Sequence, residues 1–226
     1  MPPSIIGHRG AAGLVAENTL PGFRAAQRWG VDGVELDVHW VHERLWVLHD
    51  ERVDRTTDGR GLLQALSLDA IRALDAGAGP IPELPQVLAA LPDPLLCNVE
   101  LKGAGTGVPV AALTTAQPQR NWLISAFDHD ELHAYRQAGG RGAVGVLAER
   151  WHRSLLDTGE TLSARSINLS WRTVTAARVK AIHEAGFEVM VYTVNRLPTA
   201  RRLMRYGADA LFTDRPDRIS RAALAP

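Results

Sequence analysis

The chain has a single cysteine in 226 residues, so no internal disulfide can form. Cys97 stands between Leu96 and Asn98 in an apolar run and reads as a buried, inert thiol of a reducing compartment. No stretch approaches the roughly 20 consecutive apolar residues of a membrane span, so no integral membrane segment is expected. The opening MPPSIIG has neither a basic n-region nor an apolar h-region, which argues against a secretory signal and for a cytoplasmic location. An excess of charge is missing too. Lys plus Arg number 25 and Asp plus Glu number 25. A nucleic-acid binder or a polybasic membrane-surface protein shows a basic surplus, so no nucleic-acid partner is expected. Any anion handled here must meet a local cluster of cations.

Short apolar runs alternate with helical patterns from end to end. The candidate strands are SIIGH (4–8), GVELDV (33–38), LLCNVEL (95–101), NWLISAF (121–127), AVGVL (143–147), SINLS (166–170), FEVMVYTV (187–194) and ADALFT (208–213). The helix-like stretch NTLPGFRAAQRWG has Asn18 or Thr19 as N-cap, Pro21 in its first turn and Gly30 as its stop. TVTAARVKAIHEAG and LPTARRLMRYG repeat that form and close on Gly186 and Gly207. Eight strand-then-helix units predict an α/β fold, a (β/α)₈ TIM barrel forming one domain over residues 1–226. A doubly wound sheet is disfavoured, because no GxGxxG turn follows the first strand. Residues 39–94 are irregular and read as a small insertion between the second and third barrel strands. HWVHERLWVLHD predicts an extra strand pair turning at His42-Glu43-Arg44, and LSLDAIRAL and LPQVLAALP predict helices on either side of the loop DAGAGPIPE. The Gly/Ala-rich segment between Lys102 and Asn121 gives the weakest helix signal.

Side chains alternate along a strand, so residues two apart share a face. In VELDV, Glu35 and Asp37 share one face and Val34, Leu36 and Val38 the other. In NVELK, Asn98, Glu100 and Lys102 share a face, with Val99 and Leu101 opposite. In a barrel the apolar set packs under the outer helices, while the polar set points inward near the carboxyl end, where barrel active sites lie. Three carboxylates meeting there need protons or a cation. Hard oxygen ligands select Mg²⁺ or Ca²⁺, and no zinc spacing competes, since HEAG lacks the second His of HExxH. Glu35, Asp37 and Glu100 are thus the candidate ligands of one divalent ion. Arg9 and Lys102 add positive charge suited to an anionic substrate such as a phosphate. His8 ends the first strand and His49 follows the extra strand; two imidazoles flanking a phosphate serve as proton donor and acceptor.

The segments GHRG, ENTLPGF, ELDV, LHD, RTTDGRG, IPELPQVL, NVELK, ISAFD, YTVN and GADALFTDRP stand in the order of the glycerophosphodiester phosphodiesterase family, which the chain resembles from Ile5 to about Asp217. The resemblance implies a metal-dependent barrel enzyme that cleaves small-molecule glycerophosphodiesters to glycerol 3-phosphate and an alcohol. It implies that Glu35, Asp37 and Glu100 bind the metal, that His8 and His49 are the acid/base pair, and that Arg9 and Lys102 grip phosphate. It also implies that residues 39–94 cover the barrel mouth. Tyr192 stands where the family often has Trp; its ring can still offer an apolar face to glycerol. Phe127 shares a face with Ser125 and has two readings, core packing or glycerol contact.

Duller readings stand beside these. Glu17 and Asn18 shape the first loop and cap its helix, Asp214-Arg215-Pro216 form a turn, and His39 makes a surface hydrogen bond. A lysophospholipase D-type enzyme would need an apolar acyl groove near the insertion, with Ile81, Leu84 and Leu88 as its candidates. A noncatalytic binder of phosphorylated ligands would need the cations but neither histidine.

Overall fold

The computed structural model describes residues 2–225. Eight strands run parallel and close into a barrel: β1 (Ser4–Gly7), β2 (Gly33–Val41), β4 (Leu96–Lys102), β5 (Trp122–Ala126), β6 (Ala143–Ala148), β7 (Ser166–Ser170), β8 (Glu188–Tyr192) and β9 (Ala210–Thr213). Closure comes from β1, which pairs with β9 on one side and β2 on the other. β3 (Arg44–Val47) lies outside this ring, antiparallel to the end of β2. Each strand stands where the sequence predicted one, its ends within two residues of the expectation except in β2, which runs three residues further.

The helices are α1 (Leu20–Arg28), α2 (Leu68–Ala73), α3 (Leu84–Ala90), α4 (Gly107–Ala116), α5 (His129–Gln137), α6 (Ser154–Thr161), α7 (Ala176–Glu184), α8 (Leu197–Tyr206) and α9 (Arg221–Leu224). Among the described residues no helix is long and apolar enough to cross a membrane. Thr19, not Asn18, caps α1: its hydroxyl accepts from the Gly22 amide at 3.2 Å, which frees Asn18 for other duty. The weak signal after Lys102 does become a helix. α4 has no strong apolar stripe of its own and is started from outside, because the Glu131 carboxylate on α5 accepts from the Gly105 and Gly107 amides at 2.7 Å each. Gly107 is required by that approach: a Cβ there would stand 2.3 Å from the Glu131 carbonyl oxygen.

The expected insertion divides in two. Trp46, Leu48, Val53, Leu63, Ile71, Ala76 and Ile81 form a separate small core for the segment around β3 and α2. α3 is not part of it; Leu84, Val87 and Leu88 pack into the main core with α1 and the outer face of β2 and so supply the barrel helix between β2 and β4. This also corrects the acyl-groove expectation. Ile81, Leu84 and Leu88 are all buried in these two cores and line no groove. At the β2–β3 turn His42 and Glu43 both adopt left-handed backbone, φ 51° and 57°, the conformation a two-residue hairpin turn demands even without glycine.

Alternation along the strands sorts the interior. Val34, Leu36, Val38, Val99, Leu101, Ile124, Val146 and Leu169 face outward into the core beneath the helices. Ile6, Leu96, Leu123, Met190, Ala210 and Phe212 face inward and pack together as an apolar plug. Further along the same inward rows come Glu35, Asp37, Asn98, Glu100, Ser125 and Asn168, all buried. Cys97 is also buried, and burial pushes its thiol up to about 12, so it is inert as the sequence suggests.

Candidate active site

Parallel pairing sets Asp37 beside Glu100 and Glu35 beside Asn98. One oxygen from each of Glu35, Asp37 and Glu100 lies within 4.8 Å of the others. The three residues are only 3%, 0% and 7% exposed. Glu35 Oε1 is buried without a hydrogen-bond donor, and the buried Asp37 Oδ1 and Glu100 Oε1 meet only the Lys102 ammonium, as ion contacts. Burial and the Asp37 charge push Glu35 up to about 8 and raise Glu100. Asp37 is also buried, but Lys102 and Arg9 hold its carboxyl below the usual range. Two cations thus face three carboxylates. A hard divalent cation fits here: it would satisfy the carboxylate oxygens, and with a diester monoanion it would bring the group to neutrality.

The cations are held by several contacts. The Arg9 amide donates to Glu35 Oε2 at 2.9 Å, its Nη1 to Glu17 Oε1 at 2.9 Å, and its Nε lies 3.4 Å from Asp37 Oδ2. Lys102 Nζ is 3.4 Å from Asp37 Oδ1 and 5.7 Å from the centroid of the Phe127 ring. Asn18 is a site residue that sequence reasoning missed. Its Nδ2 donates to Asp37 Oδ2 at 2.8 Å and its Oδ1 accepts from the Asp37 amide at 3.4 Å. Arg9 and Asn18 both sit in left-handed backbone, φ 49° and 57°, a strain of about 1 kcal/mol each kept where it aims their side chains.

Each of the two imidazoles is anchored at Nδ1. His8 Nδ1 lies 2.6 Å from Asp214 Oδ1, and Asn195 fixes that carboxylate: its Nδ2 donates to Asp214 Oδ2 at 2.6 Å and its Oδ1 accepts from the Asp214 amide at 2.9 Å. His49 Nδ1 lies 2.6 Å from Asp50 Oδ1, and Arg55 bridges Asp50 to Glu17. An ionised carboxylate only accepts, so both rings carry their proton on Nδ1 and leave Nε2 free toward the site. His8 Nε2 is 3.9 Å from Glu35 Oε2. Burial would lower the His8 pKa, but Glu35 and Asp214 outweigh it and raise it; for His49 burial prevails and lowers it. Asp214 is therefore more than a turn residue. His39 is no surface group either: it is buried, with Nε2 3.2 Å from the His49 carbonyl oxygen.

His8, Arg9, Glu35, His49, Glu100, Phe127 and Tyr192 line one pocket of ≈ 240 Å³. Phe127 is 43% exposed, which excludes the core-packing reading, and meets Tyr192 edge to face at 5.9 Å between centroids. The Tyr192 hydroxyl donates to the Ala148 carbonyl at 2.9 Å, so its polar tip is tied back and its ring faces the pocket.

A closed parallel barrel with its charged groups gathered at the carboxyl rim belongs to the TIM-barrel enzymes. The particular family follows from comparison. The model of the glycerophosphoryl diester phosphodiesterase family matches residues 8–218, and the chain belongs to that family. It is 30% identical over 236 residues to a glycerophosphodiester phosphodiesterase of Caldanaerobacter subterraneus subsp. tengcongensis, covering 95% of each chain. It is 30% identical over 234 residues to one from Bacillus altitudinis, again covering 95% of each. Among solved structures, an Oleispira antarctica phosphodiesterase in complex with the product sn-glycerol-3-phosphate superposes with a TM-score of 0.90 at 28% identity, over 98% of this chain and 96% of that one.

Proposed function

We propose that the chain hydrolyses glycerophosphodiesters to glycerol 3-phosphate and an alcohol, with Glu35, Asp37 and Glu100 holding one divalent ion, Mg²⁺ or Ca²⁺. The observation that carries this reading is the meeting of three buried carboxylates, two cations and two anchored imidazoles at one barrel mouth. When bound, the ion neutralises the diester charge and lowers the pKa of an attacking hydroxyl. Arg9 and Lys102 grip the phosphate oxygens and orient the phosphorus. Phe127 and Tyr192 offer apolar faces to the glycerol carbons. The free Nε2 of one neutral ring, His8 or His49, takes the proton of the attacking hydroxyl, and the other ring, entering the step protonated on both nitrogens, gives its Nε2 proton to the departing alkoxide. The attacking hydroxyl is either water or the neighbouring glycerol oxygen. In the second route a cyclic phosphate forms and the histidines exchange roles when water opens it.

A binder of phosphorylated ligands would need the cations but has no use for two imidazoles each fixed by a carboxylate. A cytoplasmic enzyme without a nucleic-acid partner completes the proposal. The test is release of glycerol 3-phosphate from a panel of glycerophosphodiesters with Mg²⁺ or Ca²⁺, in the native chain and in His8→Ala and His49→Ala. Turnover lost in both folded variants supports the reading. Unchanged turnover in either variant, or full activity in excess EDTA, overturns it.

A further inference from the structure

A second cavity of ≈ 700 Å³ opens beside the ≈ 240 Å³ pocket, and the two share Glu149, Tyr192 and Thr193 as a common wall. Its walls are the loops that follow β6, β7 and β8, three neighbouring strands, so it opens on the same rim as the carboxylates. The glycerophosphodiester reading fills the smaller pocket with glycerol phosphate. The rest of a diester, its alcohol, then extends across the shared wall into the larger cavity.

The charges of that cavity are lopsided. Each loop contributes one arginine, Arg150, Arg172 and Arg196, against the single carboxylate of Glu149. Among the described residues none of these three arginines has a carboxylate partner, as is true of several surface arginines too; what sets these apart is that they gather in one cavity. In a chain of zero net charge, three unpaired guanidiniums in one cavity form a local anion trap. The indole face there is also taken. Arg172 and Arg202 sit over the Trp171 ring at 4.9 and 5.9 Å, so it holds cations of the protein and offers no cage for a cationic alcohol. An acyl chain fares no better against three charged side chains.

We propose that this cavity receives the departing alcohol and selects glycerophosphodiesters whose alcohol itself carries an anionic group, a phosphate or a carboxylate. The inference rests on the hydrolytic function proposed above. The test compares kcat/KM for three diesters: glycerophosphoinositol, the same compound bearing a phosphate on its inositol ring, and glycerophosphocholine. The phosphorylated diester is expected to lead by at least about tenfold, since guanidinium–phosphate pairs are charge-assisted. That lead should shrink in 0.5 M salt and fall to near one in the Arg150→Gln/Arg172→Gln/Arg196→Gln variant. The salt series on the unaltered chain keeps the test independent of how the variant folds. Equal kcat/KM for the two inositol diesters, or a preference for choline, overturns this proposal while leaving the hydrolytic reading standing. No turnover of any diester with Mg²⁺ or Ca²⁺ overturns both.

Discussion

Glu35 makes the cost of the acidic cluster measurable without any substrate. Burial and the neighbouring Asp37 push its carboxyl up to about 8, against 4.5 for an unperturbed glutamate. In the metal-free protein the folded state therefore keeps a proton on Glu35 that the unfolded chain has already released. Between those two values the folded state binds more protons, so stability is full below pH 4.5, falls as pH rises, and is lowest above about pH 8. The whole difference corresponds to on the order of 5 kcal/mol. Glu35→Gln removes the ionisation yet retains an oxygen for the Arg9 amide, now bonded at 2.9 Å. In EDTA the variant should match the native chain near pH 5 and exceed its stability by several kcal/mol at pH 8.5. Urea unfolding at pH 5, 7 and 8.5, followed by the fluorescence of the six tryptophans, reads this directly. Adding Mg²⁺ or Ca²⁺ at 100 times its Kd should then stabilise the native chain by about 2.7 kcal/mol and the variant far less. Parallel pH curves in EDTA, or an equal gain with metal in both proteins, would refute the reasoning.

Asp214→Asn keeps the shape beside His8 but removes the charge that fixes its tautomer, so kcat should fall by about 10²- to 10⁴-fold with KM little changed. The limb of the pH–rate profile that reports His8 should move to lower pH, and an unmoved profile would leave Asp214 with a structural role only. Gly107→Ala places a Cβ 2.3 Å from the Glu131 carbonyl oxygen, a backbone atom that cannot turn aside, so thermal unfolding should show a loss of about 2–3 kcal/mol.

The charges of the site were legible in the sequence where strand alternation governs them. Glu35 with Asp37, and Glu100 with Lys102, are two apart on neighbouring strands, and inward rows in register bring them together whatever the loops do. The groups that hold the imidazoles were hidden for the opposite reason. Asp214 reaches His8 from 206 residues away in sequence, with Asn195 holding Asp214 in place, and only barrel closure through β1 and β9 brings the ends of the chain together. Asp50 was within sight, directly after His49, but a carboxylate next to a histidine in sequence does not announce its hydrogen bond. Asn18 and Thr19 are both good caps by residue type, and sequence does not say that Thr19 takes that place while Asn18 turns to Asp37. The apolar stripe of α3 does not say which of two cores it will join, so sequence alone groups it with the insertion.

The most direct test of a metal-centred site is anomalous diffraction from crystals grown with Mn²⁺ or Ca²⁺. One strong peak is predicted at the barrel mouth, with an oxygen of Glu35, Asp37 and Glu100 each within about 2.0–2.6 Å of it. A map without a peak among those carboxylates at saturating metal, or a peak bound elsewhere, would contradict the account.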